Sequence, residues 1–217
     1  MNQIIKNIRA YKKIGFDLDG TIINSLDGIY ESYLFAVTKL GLEVLPKDFI
    51  KTKIGPPIET FFTNLYPLNT DLMSEYSAIY RKYYLDEGYK KTTLKEGFVK
   101  FLDLLNNNSH KLFILTNRSS DASQLILEIL EIEQYFETVV SVDPLDKKLF
   151  NKRNHLTEIF KDDPLGIYVG DTMEDYNACI GSKVIFIGLS DGFGVFSDEI
   201  KQTSNIYGSV LELLSIY

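Results

Sequence analysis

One cysteine in 217 residues, Cys179, leaves no means of closing an internal disulfide, which suits a reducing compartment. Basic residues are scarce as well. Against 30 Asp and Glu there are only 23 Lys and Arg, and the net charge of −7 argues against a nucleic-acid partner, whose backbone calls for a cationic surplus. A small phosphorylated metabolite needs only a local positive site and stays open as a partner. No stretch approaches the roughly 18 apolar residues of a membrane span, and residues 1–13 lack the apolar core of a signal peptide. The expectation is a cytoplasmic protein with no membrane partner. Repeats and low-complexity linkers are missing too. With 45% hydrophobic and 24% charged residues the composition is that of an ordinary globular protein, long enough for one or two domains.

What is present organises itself around Ile14-Gly15-Phe16-Asp17-Leu18-Asp19-Gly20-Thr21. This reads as a buried strand ending in Asp-x-Asp, which seats both carboxylates on one side of an extended chain, and Gly20 then frees the backbone to turn away. Two anions held that close repel, so one is driven toward protonation unless a cation sits beside them. The pair asks for Mg²⁺.

Further along, Ile29, Tyr33, Ala36 and Leu40 fall at helical spacing with Gly41 as a stop, and Leu72, Tyr76, Ile79 and Tyr83 repeat that spacing. Between them Ile54-Gly55-Pro56-Pro57 breaks the pattern, and Pro57 is placed to start a helix through Phe61 and Phe62. The crowd of Tyr76, Tyr80, Tyr83, Tyr84 and Tyr89 reads as the core of a small helical bundle. Residues 2–12 carry Ile4, Ile5 and Ile8 as a weak helical leader.

From Glu96 onward strands alternate with helices. A helix carrying Phe98, Phe101, Leu102 and Leu105 ends at Asn106-Asn107-Asn108-Ser109, and Lys111-Leu112-Phe113-Ile114-Leu115-Thr116 follows as an apolar strand of the doubly buried kind. Asn117 to Asp121 offer N-caps for a helix reaching Glu131. Val139 to Ser141, Gly166 to Gly170 and Lys183 to Gly188 are strands, with a helix marked by Leu156, Ile159 and Phe160 between the first two and a strand-helix tail from Asn205. That alternation means right-handed crossovers and an open α/β sheet, with the ligand crevice at the strand ends: Asp17, Asp19, Thr116, Asn117 and Asp171.

Asp17-Leu18-Asp19-Gly20-Thr21 resembles the first motif of the haloacid dehalogenase superfamily in its phosphatase form. Thr116 resembles the Ser/Thr of the second motif, and Gly170-Asp171-Thr172-Met173-Glu174-Asp175 the fourth. The resemblance spans nearly the whole chain. It implies an α/β, Rossmann-like parallel sheet core over residues 1–24 and 92–217, and an inserted all-helical cap over residues 25–91. Residues 22–25 would form a flap over the site, with Asn24 where the family often has Asp. The Ile54 to Pro57 loop, which looks like that of phosphoglycolate phosphatases and related nucleotidases and pyrophosphatases, would face the active site.

The roles follow from the resemblance and from the chemistry of a repelling phosphate dianion, which needs an in-line nucleophile and cations to spread charge. Asp17 would attack phosphorus, and Asp19 would give and then take a proton. Mg²⁺ would rest on the Asp17 carboxylate, the Asp19 carbonyl and Asp171, with Asp175 steadying a bound water. Thr116 and the Asn117 N–H would hold phosphoryl oxygens, beside Gly20 and Arg118. The third-motif lysine is Lys152, ahead of the His155 helix, with Lys148 and Lys147 as alternatives. Glu174 reads as solvated, Cys179 as filler in a helix after Asp171, and His110 and His155 as bystanders.

Within the family, Asp19 excludes the dehalogenases, which lack that acid. A 5′-nucleotidase, a pyrophosphatase and a β-phosphoglucomutase-like phosphotransferase are the alternatives, and a monomer or homodimer is expected. A receiver-type signalling module would be half as long and lack the helical insertion. A degenerate, phosphate-binding member would not keep Asp17, Asp19 and Asp171.

Overall fold

The computed structural model describes residues 8, 10–142, 150–161 and 165–217. Its strands are β1 (Lys13–Phe16), β2 (Ile23–Asn24), β3 (Thr93–Leu94), β4 (Lys111–Ser119), β5 (Thr138–Val142), β6 (Gly166–Gly170), β7 (Val184–Leu189) and β8 (Asn205–Tyr207). Its helices are α1 (Leu26–Lys39), α2 (Lys47–Lys51), α3 (Ile58–Leu65), α4 (Met73–Asp86), α5 (Phe98–Asn107), α6 (Ser120–Ile129), α7 (Lys152–Ile159), α8 (Met173–Cys179), α9 (Asp198–Thr203) and α10 (Val210–Ile216).

Six strands form one parallel sheet in the order β5-β4-β1-β6-β7-β8, the α/β architecture expected. Period-two alternation divides its apolar side chains between two layers. Leu112, Ile114, Ile167 and Val169 join Phe101, Leu105, Ile126 and Leu213 of α5, α6 and α10. Phe113, Leu115 and Tyr168 join Leu156, Ala178 and Cys179 of α7 and α8 on the other side. Each fully buried Phe or Leu contributes about 1.5–3 kcal/mol. Gly15 is part of this packing, because a Cβ there would lie 2.2 Å from the Phe113 ring.

Between β1 and β4 the chain runs out into α1 to α4, whose buried Tyr33, Val37, Ile50, Phe62 and Tyr76 form a cluster of their own. It leaves through β2 and returns through β3, which pair antiparallel as the narrow waist of the excursion.

Two boundaries that bear on the site differ from the sequence reading. β4 runs three residues past Thr116 to Ser119, with a shift of register against β5 between Leu115 and Ser119. Side-chain ties from Asn117 and Arg118 hold this polar tail extended, where propensity suggests a helix start. Lys152 does not precede its helix but opens it, since Asn151 is the N-cap and accepts from the Asn154 N–H at 3.0 Å. Of the leader, Ile8 is buried in the core, while Ile4 and Ile5 lie outside the described residues. No helix among the described residues is long and apolar enough to cross a membrane.

Candidate active site

Parallel strands that all point one way deliver their C-terminal ends to one edge of the sheet. β1 ends at Phe16, and the Asp17 N–H still donates to the Val169 carbonyl at 2.8 Å, so Asp17 stays locked to the sheet. The next residues fold straight back: Ile22 and Ile23 donate to the Leu18 carbonyl, and the Gly20 N–H donates to Ile23 at 2.9 Å. Gly20 sits at φ +79°, and a Cβ there would meet Asp171 Oδ2 at 2.3 Å. Only glycine fits both the turn and the approach of Asp171.

Asp17, Asp171 and Asp175 converge, all buried, with an oxygen of each within 4.8 Å of the others. Lys152 enters from α7 and donates to Asp17 Oδ1 at 2.8 Å and to Asp175 Oδ1 at 2.6 Å. Lys148 and Lys147, the other third-motif candidates, lie outside the described residues. Burial pulls the Lys152 ammonium down, but Asp17 and Asp175 outweigh it and hold it well above its ordinary value. Burial pushes the Asp17 carboxyl up, and Asp175 and Asp171 add to that against the pull of Lys152. Burial and then Asp175 likewise raise Asp171 to about 6, against hydrogen bonds from the Phe193 N–H, the Thr21 hydroxyl and the Gly194 N–H.

Three buried carboxylates around one ammonium leave two negative charges unbalanced when all are ionised. An all-oxygen donor set with that surplus fits a hard divalent cation of the Mg²⁺ kind. The three acids do not serve it alike. Asp175 Oδ2 already accepts from the N–H and hydroxyl of Thr172 at 3.1 and 2.6 Å, as the capping box of α8, while Oδ1 holds Lys152. Asp17 Oδ2, by contrast, carries no hydrogen bond among the described residues.

These shifts predict a measurable response. The folded protein keeps the Asp171 proton to higher pH than the unfolded chain, so metal-free protein loses stability as pH rises from about 4 through about 6. Mg²⁺ held by the cluster would compete with that proton. Adding it should raise the melting temperature markedly at pH 7 and little at pH 5; equal shifts at both would contradict the assignment of the cluster as a metal site.

Asp19 stands on the other flank of the same turn. Arg118 grips it as a fork, with Nε on Oδ2 at 2.8 Å and Nη2 on Oδ1, and the Ser25 hydroxyl also donates to Oδ1. The guanidinium lies over the Tyr84 ring, 4.6 Å from its centroid. Thr116 is buried at the rim of β4, where its hydroxyl accepts the Arg118 N–H at 3.3 Å. Asn117 reaches out of the sheet: its side-chain amide donates to the Gly55 carbonyl at 2.9 Å and to Glu174 at 2.8 Å. Glu174 is exposed, as read from the sequence, yet it is tied through Asn117 to the Gly-Pro-Pro loop.

A cavity lies between this edge and the helical excursion, lined by Asp17, Asp19, Thr116, Asn117 and Arg118 from below and by Ile54, Gly55, Pro56, Tyr80 and Arg81 from above. The tyrosine stripe therefore divides. Tyr76 is core, as read, but Tyr80 and Tyr84 face the cavity, because one more helical turn carries the same stripe past the bundle's edge. Neither histidine lines it: His110 bridges the Tyr11 carbonyl and the Tyr217 hydroxyl, and His155 packs on Phe150. Cys179 is buried in α8, its thiol pushed up to about 12.

Several partners escape sequence reading. Thr21 holds Asp171 at 3.0 Å, Ser25 holds Asp19, and Lys95 reaches from just past β3 to the Gly20 carbonyl at 2.7 Å and Asp191 at 2.6 Å. The Thr172-x-x-Asp175 spacing was a visible signal for the capping box.

A family profile described as haloacid dehalogenase-like hydrolase matches residues 14–189. A phosphoglycolate phosphatase of Aquifex aeolicus is 30% identical over 166 residues, covering 75% of this chain and 77% of its own. A 5′-nucleotidase of Pseudomonas aeruginosa is 25% identical over 195 residues, covering 88% and 87%. A solved haloacid dehalogenase-like hydrolase of Streptococcus pneumoniae superposes with a TM-score of 0.83 at 26% identity, over 95% of this chain and 98% of that one. Sheet order, strand-end acids and matched span agree, and the chain belongs to the haloacid dehalogenase-like hydrolase family.

Proposed function

We propose that this enzyme is a Mg²⁺-dependent phosphatase that hydrolyses a small phosphate monoester, in the manner of a phosphoglycolate phosphatase, through a phosphoaspartyl intermediate on Asp17. The observation that carries the reading is Asp17 itself: anchored to the sheet through its N–H, neutralised on one oxygen by Lys152, and free of hydrogen bonds on the other among the described residues. Asp17 Oδ2 attacks phosphorus and displaces the leaving oxygen. Asp19, one turn away, supplies the proton that oxygen needs and then takes one from the water that cleaves the acyl phosphate. Thr116 and the Asn117 N–H hold the phosphoryl oxygens, and Lys152 offsets their charge. The Asp17 and Asp171 carboxylates and the Asp19 carbonyl would hold Mg²⁺, with Asp175 steadying a water of its shell. That ion would neutralise the charge of the phosphoryl group.

Residues 25–91 act as a cap in this reading, and the Ile54 to Pro57 loop reads the leaving group. Support comes from the Asn117 amide, which ties the Gly55 carbonyl to the reaction edge. Replacing Ile54 or Pro56 with alanine should reorder the preference among phosphoglycolate, nucleoside monophosphates, pyrophosphate and hexose phosphates by about tenfold, while p-nitrophenyl phosphate turnover changes by less than about threefold. An unchanged ranking would remove the loop from substrate choice. The same panel on the unmodified enzyme tests the reading as a whole, and failure to hydrolyse any member with Mg²⁺ would contradict it.

A further inference from the structure

The acid assigned to proton transfer is not free in this structure. Both oxygens of Asp19 accept from the Arg118 fork, and Oδ1 takes the Ser25 hydroxyl as well. A carboxylate has about four lone-pair sites, so three donors leave it little edge with which to carry a proton to a leaving oxygen. The pair is nearly sealed, with the Arg118 and Asp19 side chains 8% and 14% exposed. Tyr84 under the guanidinium plane favours the cation in place.

Above it, α4 presents a second guanidinium. Arg81 gives Nη2 to Glu59 at 3.0 Å, but its Nε is buried and has no hydrogen-bond partner among the described residues. Arg81 and Arg118 line the same cavity, and both act on the Tyr80 phenol, which burial drives up. A buried N–H without an acceptor is costly in a native fold and points to a group that arrives later.

Resting on the phosphatase reading above, we propose that Arg118 is a latch on Asp19, released by a substrate whose leaving group carries its own anion, which Arg118 and Arg81 hold between them. The anion is a carboxylate or a second phosphate, the two groups that match an arginine fork. When the anion takes the guanidinium, the oxygens of Asp19 are freed for proton transfer, so a substrate bearing it is selected in turnover as well as in binding. Esters with an uncharged leaving group open the latch less often and turn over more slowly.

The test uses Asp17→Asn protein with Mg²⁺, which binds ligand without consuming it, and titration calorimetry on matched pairs. One pair is a phosphorylated hydroxy acid and its amide; the other is an alkyl bisphosphate and the monophosphate of the same diol. In at least one pair the doubly anionic ligand should bind about 10²-fold tighter. Adding Arg118→Gln should bring that ratio to within about threefold of one, and Arg81→Gln should cut it about tenfold. Arg118→Lys keeps the charge without the fork and should retain part of the ratio, which covers the case of a Gln variant that does not fold. In the otherwise unmodified enzyme, the kcat contrast within the pair should collapse with Arg118→Gln. A ratio near one in both pairs would overturn the proposal. So would an Arg118→Gln change that weakens both members equally, the result for an arginine that holds the transferring phosphoryl group or merely anchors Asp19. Failure of the phosphatase reading shows separately, as absence of turnover of every ester by the unmodified enzyme, because the binding contrast needs no turnover.

Discussion

Asp17→Asn should abolish Mg²⁺-dependent hydrolysis of p-nitrophenyl phosphate, a loss on the order of 10⁴- to 10⁶-fold, as expected when a nucleophile is removed and only binding and electrostatics remain. The amide is nearly isosteric and keeps an oxygen for Lys152, so the local hydrogen bonding survives. It cannot attack phosphorus. The loss should not come from unfolding, and a second measurement shows this. In the metal-free protein Asp17 is pushed up by burial and by two neighbouring acids, which makes its ionised form a burden on the fold at neutral pH. Removing that charge should leave the metal-free melting temperature unchanged or higher, while the increase on adding Mg²⁺ shrinks. A variant that melts early and is inactive would say nothing for catalysis; one that melts normally and still turns over would exclude Asp17 as nucleophile.

Lys152→Met should do the opposite to the fold. It removes the counterion of Asp17 and Asp175 and fills the space with an apolar chain, leaving two carboxylates buried side by side. Breaking one partner out of a buried charge cluster costs about 3–5 kcal/mol. In a chain of this size that is a fall of about 10 °C in melting temperature without metal. Turnover should fall about 10²- to 10³-fold with Mg²⁺ present, since in the proposed reaction the same ammonium offsets the charge of the transferring phosphoryl group. Part of the lost stability should return as pH falls below about 6, where the acids can protonate; the raised Asp17 and Asp171 set the direction. Lys148→Ala and Lys147→Ala should each stay within about threefold of the parent. Equal, mild losses in all three would mean that Lys152 is not the neutralising cation.

The residues proposed to carry the reaction were legible because their positions follow from strand geometry. Asp17 and Asp19 close a short apolar strand, and Asp171 follows the five-residue run Gly166–Gly170, every residue of which is buried. An acid directly after such a strand has one place to go in a parallel sheet. Lys152 was legible only as one of three lysines, since Lys147, Lys148 and Lys152 all fall between two strands read from the sequence and spacing cannot choose among them. Lys95, Thr21 and Ser25 were not legible at all. Lys95 follows β3, which pairs with β2, two strands of two residues each, too short to show any alternation, and the contacts of Thr21 and Ser25 arise only once the chain folds back at Gly20. Arg118 gave a weak signal because its neighbours Asn117 and Ser119 are good N-caps, and only tertiary ties draw the strand out past Thr116. The tyrosines of α4 show the same limit: periodicity says that Tyr76, Tyr80 and Tyr84 share a face, but not where the bundle stops and the cavity begins.

The central claim is a covalent one, that phosphate rests on Asp17 between two half-reactions. It can be read directly with Asp19→Asn protein turning over p-nitrophenyl phosphate in Mg²⁺. That leaving group departs without a proton donor, so the proposed intermediate should form, and its hydrolysis, for which Asp19 is the proposed base, should lag. Quenching with borohydride reduces an acyl phosphate to an alcohol, and peptide mass spectrometry then locates it. The account predicts homoserine in place of aspartate at residue 17, dependent on both substrate and Mg²⁺. An unmodified residue 17 in protein that is still releasing p-nitrophenol, or reduction at any other carboxylate, would contradict it.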